Sequence, residues 1–114
     1  MAKTRMPRDD NSQSIPVLRF RTGGAQQIST STVAARSSAF TSGTRVVTLL
    51  CSVASFFESG GSDVTATLSS HYIPAGIPFD LALGSDISDT DGYHTHISVI
   101  LSSGTGTAYI SERE

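Results

Sequence analysis

His94-Thr95-His96-Ile97-Ser98-Val99-Ile100-Leu101 and Thr105-Gly106-Thr107-Ala108-Tyr109-Ile110, separated by Ser102-Ser103-Gly104, decide the fold class. In the first run Thr95, Ile97, Val99 and Leu101 alternate with His94, His96, Ser98 and Ile100. A period of two puts one set on each face of an extended strand. Ser and Gly between the two runs are turn formers, so the pattern predicts a terminal hairpin.

Working back along the chain, Phe79-Asp80-Leu81-Ala82-Leu83 reads as a short strand closed by Gly84. Pro74 and Gly76 end any ladder after Tyr72-Ile73, and Val64-Thr65-Ala66-Thr67-Leu68 alternates as a strand does. Arg45 to Glu58 is the most apolar segment. Its length would suit a buried helix, but Val46, Val47, Thr48, Val53, Phe56 and Phe57 favour extended backbone. Either one long bent strand or two short ones broken near Ser52 to Ser55 fits. Gln26 to Arg36 carries Ile28, Thr30, Thr32 and Ala34 on one face, after a turn at Thr22-Gly23-Gly24. Ile15 to Arg21 alternates as well. Seven or eight short strands predict an all-β chain, a single β-sandwich or jelly-roll-like domain over residues 15–114. Residues 1–14 are polar and charged, with Pro7 and Asp9-Asp10-Asn11-Ser12, and read as an extended arm. Fourteen extended residues reach on the order of 45 Å, enough to cross a neighbouring subunit.

Composition agrees. The chain has 114 residues, room for one domain, and 19 Ser with 13 Thr favour strands and turns over helix. There is no Trp, so the core is expected to be thin. Charge is divided unevenly. Lys3, Arg5, Arg8, Arg19 and Arg21 face two acids within residues 1–21, whereas the remainder holds three arginines against eight acids. A basic arm leading an acidic body is suited to dock on an acidic neighbour, including another copy of itself. Nucleic acid is not an expected partner, because the arm lacks aromatic interleaving and the body would repel phosphates.

Cys51 is the single cysteine and lies in the apolar run Val46 to Cys51, so an inert buried thiol is expected. Met1-Ala2-Lys3-Thr4-Arg5-Met6-Pro7-Arg8 contains no apolar core of a secretory signal. No run approaches the roughly 18 apolar residues of a membrane helix, so a soluble protein made in a cytoplasm is expected.

Candidate chemistry is sparse. His94 and His96 share one strand face and could reach one metal, with His71 as a third ligand. No carboxylate accompanies them, and a solvent-facing pair explains the same spacing. Asp86, Asp89 and Asp91 resemble half of a calcium loop, but the twelve-residue spacing and its closing Glu are missing. No Gly-x-Ser-x-Gly elbow is present, and no Lys follows a glycine-rich turn as a phosphate loop requires. No catalytic residue, cofactor or metal site is assigned.

Two stretches carry a resemblance. Met6-Pro7-Arg8-Asp9-Asp10 with Ile15-Pro16-Val17-Leu18-Arg19 resembles the opening of small tailed-bacteriophage proteins. His94 to Ile100 with Gly104 to Glu112 resembles their ending, and Asp63 to Thr67 and His71 to Gly76 are similar to their middle. The resemblance implies a virion structural protein and no catalytic residues. The expectation is a capsid decoration (cement) protein on the capsid exterior, a trimer or dimer bound to the major capsid protein or other virion proteins. Lys3, Arg5, Arg8, Arg19 and Arg21 are the expected partner-binding residues. A tail, collar or head-fibre component is the alternative, and a carbohydrate-binding module a more distant one, given only Tyr72, Tyr93 and Tyr109 as ring platforms.

Overall fold

The computed structural model describes residues 18–84 and 93–114. The described chain is all-β: β1 (Phe20–Thr30), β2 (Ala35–Arg36), β3 (Val46–Cys51), β4 (Ser55–Gly60), β5 (His71–Ile73), β6 (Phe79–Ala82), β7 (His96–Ile100) and β8 (Gly106–Arg113). They form two four-stranded antiparallel sheets, ordered β1-β8-β3-β6 and β2-β7-β4-β5. Strand 1 pairs with 8, 2 with 7, 3 with 6 and 4 with 5. These four pairs alternate between the two sheets. No described helix is long and apolar enough to cross a membrane.

Both sheets contribute to one core, an arrangement compatible with a β-sandwich. Val47, Leu49 and Cys51 of β3 with Ala108 and Ile110 of β8 meet Phe57 of β4, Ile73 of β5, and Ile97 and Val99 of β7. The inward residues follow the period of two read from sequence; burying each large aliphatic chain contributes about 1.5–3 kcal/mol.

The predicted terminal hairpin does not form. Both of its strands exist, yet β7 and β8 lie in opposite sheets, and residues 101–105 carry the chain across the sandwich. Ile97 and Val99 need an apolar surface facing them, as do Ala108 and Ile110. Packing the strands face to face supplies it, while pairing edge to edge would leave both sets on one side.

Three further expectations are corrected. Thr22-Gly23-Gly24 is not a turn: β1 runs through it with a register shift between Phe20 and Ala25, helped by Gly23 at φ 77°. The strand expected over Gln26 to Arg36 ends at Thr30 and resumes in the other sheet as β2. Val64 to Leu68 is a loop. Its backbone groups are taken by side chains instead of a neighbouring strand: Arg36 Nε donates to Val64 O at 2.8 Å and Ala66 N to Ser98 Oγ at 2.9 Å. Ala66 is thereby buried on the outer face of the β2-β7-β4-β5 sheet. The Arg45 to Glu58 segment resolves into the two-strand alternative, broken at residues 52–54.

Candidate interaction surfaces

The connections of the sandwich fall into two sets. Thr30 pairs with Gly106, Cys51 with Ala108, Leu49 with Phe79 and Ala35 with Val99. Loops 31–34, 52–54, 74–78 and 101–105 are therefore gathered at one end. Backbone bonds lace them: Leu101 N to Ser31 O (2.8 Å), Ser52 N to Thr107 O (2.9 Å) and Gly76 N to Cys51 O (2.9 Å). Val33, Val53 and Ile77 stand exposed on three of these loops, Val33 at 73%. Water would be excluded from such tips by any apolar partner.

The root of the N-terminal segment lies at the other end, bound to β8. Arg19 N donates to Glu114 O at 3.0 Å, and Glu114 N to Arg19 O at 2.8 Å, which extends the β1–β8 ladder. Arg19 Nη2 meets Glu114 Oε1 at 2.6 Å, and Arg21 Nη1 meets Glu114 Oε2 at 3.2 Å. Arg21 Nε lies 3.7 Å from Glu112 Oε1, buried and without a hydrogen-bond partner. Arg113 lays its guanidinium 4.4 Å from the Phe20 ring centroid and donates to Leu18 O and Thr48 Oγ1. Stacking and the planar fork are both properties of Arg rather than Lys.

Of the five cations expected to bind a partner, Arg19 and Arg21 thus meet carboxylates of their own chain. Lys3, Arg5 and Arg8 lie outside the described residues, as do Asp86, Asp89 and Asp91. Sequence reading missed Glu112, which occupies an inward position of β8 and is 4% exposed. Thr41 N (3.0 Å) and the Thr44 hydroxyl donate to its Oε1, which ties the 37–45 connection to the strand. Its alternation with Ala108 and Ile110 was the available signal, since an acid in register with core residues requires partners.

The three histidines are held separately. His71 Nε2 is 3.2 Å from Glu58 Oε2, His94 Nδ1 is 2.8 Å from Ser59 Oγ, and His96 Nδ1 is 2.7 Å from Thr95 Oγ1. His94 precedes β7 instead of sharing its face with His96. Among the described residues no group of three His, Cys, Asp or Glu is placed to hold a metal ion.

The two side edges of the sandwich also differ. Between β1 and β2 the gap is closed by Gln26, whose amide donates to Ser38 O (3.2 Å) and accepts from Ser38 N (2.9 Å). Between β5 and β6 it opens as a cleft of about 520 Å³, lined by Phe57, His71, Tyr72, Phe79, Asp80 and Leu81 among others. Phe57 and Phe79 meet edge to face at 6.2 Å on its inner wall.

No family model, no curated protein and no solved structure matches the sequence. The functional reading therefore rests on the residues and their arrangement.

Proposed function

We propose that this chain is a non-enzymatic virion structural protein of a tailed bacteriophage, a capsid decoration protein that binds the outer face of the major capsid protein as a homo-oligomer. The observation that carries the reading is the chemical difference between the two ends of the sandwich. One end offers the apolar tips Val33, Val53 and Ile77; the other holds the salt-bridged Arg19 and Arg21, which follow the basic residues Lys3, Arg5 and Arg8 in sequence. A body of this kind seats its tips on the shell and reaches sideways with its arm, residues 1–14.

The fold supports the same reading. The sheet orders 1-8-3-6 and 2-7-4-5 support a jelly-roll-like reading of the sandwich, an architecture used by viral capsid domains. The mechanism is mass action. Contacts made only with the assembled shell stabilise that shell by an amount that grows with the logarithm of the free chain's concentration relative to its Kd. Lys3, Arg5 and Arg8 supply charge-assisted bonds to carboxylates of a neighbouring subunit, while Arg19 and Arg21 hold the arm's base in place.

The test is the copy number of this chain per purified particle, by quantitative mass spectrometry against the most abundant shell protein. Hundreds of copies in fixed ratio to the shell are expected. On the order of a dozen, as a ring at one vertex would give, would place the chain in the collar or tail. Absence from particles would overturn the structural reading.

A further inference from the structure

We propose that the outer edge of β1 is the contact between two copies of this chain, β1 pairing antiparallel with the β1 of a second copy about a two-fold axis at Gln27. The inference names the interface of the homo-oligomer in the proposed function and rests on that reading for the fact of self-association.

Ladder geometry shows which groups are on offer. β1 is the last strand of its sheet, with β8 on one side. Thr107 of β8 turns its backbone to the β3 side, where Ser52 N donates to Thr107 O and Thr107 N to Ser52 Oγ, both at 2.9 Å. Backbone groups alternate sides along an antiparallel strand, so Thr107, Tyr109 and Ser111 all bond toward β3. Their partners in β1 are Ser29, Gln27 and Ala25, which therefore direct N–H and C=O away from β8. Among the described residues no other backbone segment bonds to these groups. Gln26 belongs to the alternate set. Its amide bridges to Ser38, in the stretch that continues β2 along β7, and so fills the space between the sheets without covering the edge of β1.

Self-complementarity identifies the occupant. Gln27 is the middle residue of the three. A two-fold at Gln27 sets it opposite its own copy, with Ala25 opposite Ser29 of the second copy and Ser29 opposite Ala25. In that register each of the three N–H and three C=O groups meets a partner. A two-fold at Ala25 would set Gln27 against the irregular backbone at Gly23. One at Ser29 would set Gln27 against Ser31, whose carbonyl already accepts from Leu101 N at 2.8 Å. The exposed Gln27 amides also meet across the axis, and each carries donors and an acceptor, so the pair satisfies itself.

Charge agrees. Edge strands are kept from pairing by shortness and by charged side chains. β2, β5 and β6 span 2, 3 and 4 residues and carry Arg36, His71 and Asp80. β1 spans 11 residues, and from Thr22 to Thr30 it holds no ionisable group. Arg21, its one charged residue, is engaged with Glu112 and Glu114. Like charges placed opposite one another would resist self-pairing, and here none meet. An interface of this kind closes on itself as a dimer.

The experiment measures the mass of the purified full chain by light scattering after size exclusion, with no capsid present. The parent chain is expected to be a dimer. Gln27→Lys and Gln27→Glu alter an exposed side chain and are each expected to halve that mass, because two like charges then face each other at the axis. Mixed in equal amounts they should regain the dimer mass. Register is read by oxidation. Gln27→Cys brings two Cα atoms to about 5.5 Å, within disulfide range, and should cross-link rapidly. Ser29→Cys holds its two copies more than about 10 Å apart and should not. The native Cys51 is buried and leaves the readout clear. A monomeric or trimeric parent, a Gln27→Lys chain that keeps the parent mass, a mixture that stays monomeric, or equal cross-linking at both positions would each overturn the proposal. A monomeric parent present at hundreds of copies per particle would overturn this interface and leave the decoration reading standing.

Discussion

Gly24 and Glu112 face each other across the β1–β8 ladder so closely that a Cβ on Gly24 would stand 2.9 Å from the Cβ of Glu112. The backbone of Arg21 closes the same space from the other side, with its carbonyl oxygen at 3.2 Å. A hydrogen in place of a methyl group is what lets the irregular part of β1 lie against a buried carboxylate. Gly24→Ala is expected to destabilise the fold by about 1–3 kcal/mol, the range for overpacking a closed site. Chemical denaturation of the two chains measures it; an unchanged midpoint would show that the ladder relaxes freely there.

Removing the carboxylate has a different consequence. Glu112→Ala leaves the Thr41 amide and the Thr44 hydroxyl without their buried acceptor and removes the carboxylate 3.7 Å from Arg21 Nε, while the Arg21–Glu114 pair remains. Two orphaned donors and the lost ion pair together cost about 3 kcal/mol. The expected result is a lowered melting temperature with faster amide exchange in residues 37–45. Slow exchange in that connection would mean that other contacts hold it.

Arg113 holds Leu18 and Phe20 through geometry that lysine cannot reproduce. Arg113→Lys retains the charge but loses the paired donation to Leu18 O and the planar stack on Phe20. Stability should fall by about 1 kcal/mol, typical of a cation–π contact with its hydrogen bonds at a partly exposed site. Exchange of the Arg19 amide should accelerate more than that of any core strand. Equal acceleration throughout would indicate a global effect and no local role at the root.

Cys51 gives a pH signature. Burial raises its thiol above the ordinary value, against a smaller lowering from its hydrogen bond with Ser55. Between the unfolded and the folded pKa the native chain keeps a proton that the unfolded chain has released. Stability therefore declines as pH rises above about 8.5, and the decline continues to the folded value. Cys51→Ala should have a shallower alkaline decline than the parent. A thiol reagent at neutral pH should label the parent only as it unfolds; rapid labelling of native protein would contradict burial.

The apolar tips are tested by charge. Val33→Asp with Ile77→Asp alters side chains that stand in solvent, so the stability change should stay within about 0.5 kcal/mol for each. Binding to purified shells should drop by at least tenfold, read by co-sedimentation. Undiminished binding by this folded variant would move the shell contact away from that end.

Much of the fold was legible because alternation is a local property. Val47, Leu49 and Cys51, or Ile97 and Val99, point inward wherever their strands are placed, and the turn residues around them mark where strands stop. The sequence alone therefore determined the all-β class, most of the inward faces and the inert setting of Cys51. Choice of partner strand is not local. Several Val- and Thr-rich segments could pair with one another at similar energy, and only the joint burial of two apolar faces sent β7 and β8 into opposite sheets. The same holds for charges. Arg19, Arg21, Glu112 and Glu114 are 91 to 95 positions apart across their pairs, and nothing in their neighbours announces that β1 and β8 will be adjacent. Tertiary structure decided which cations meet Glu112 and Glu114, which acid is buried and which side edge carries a cleft among the described residues, because each depends on what the closed sandwich brings together.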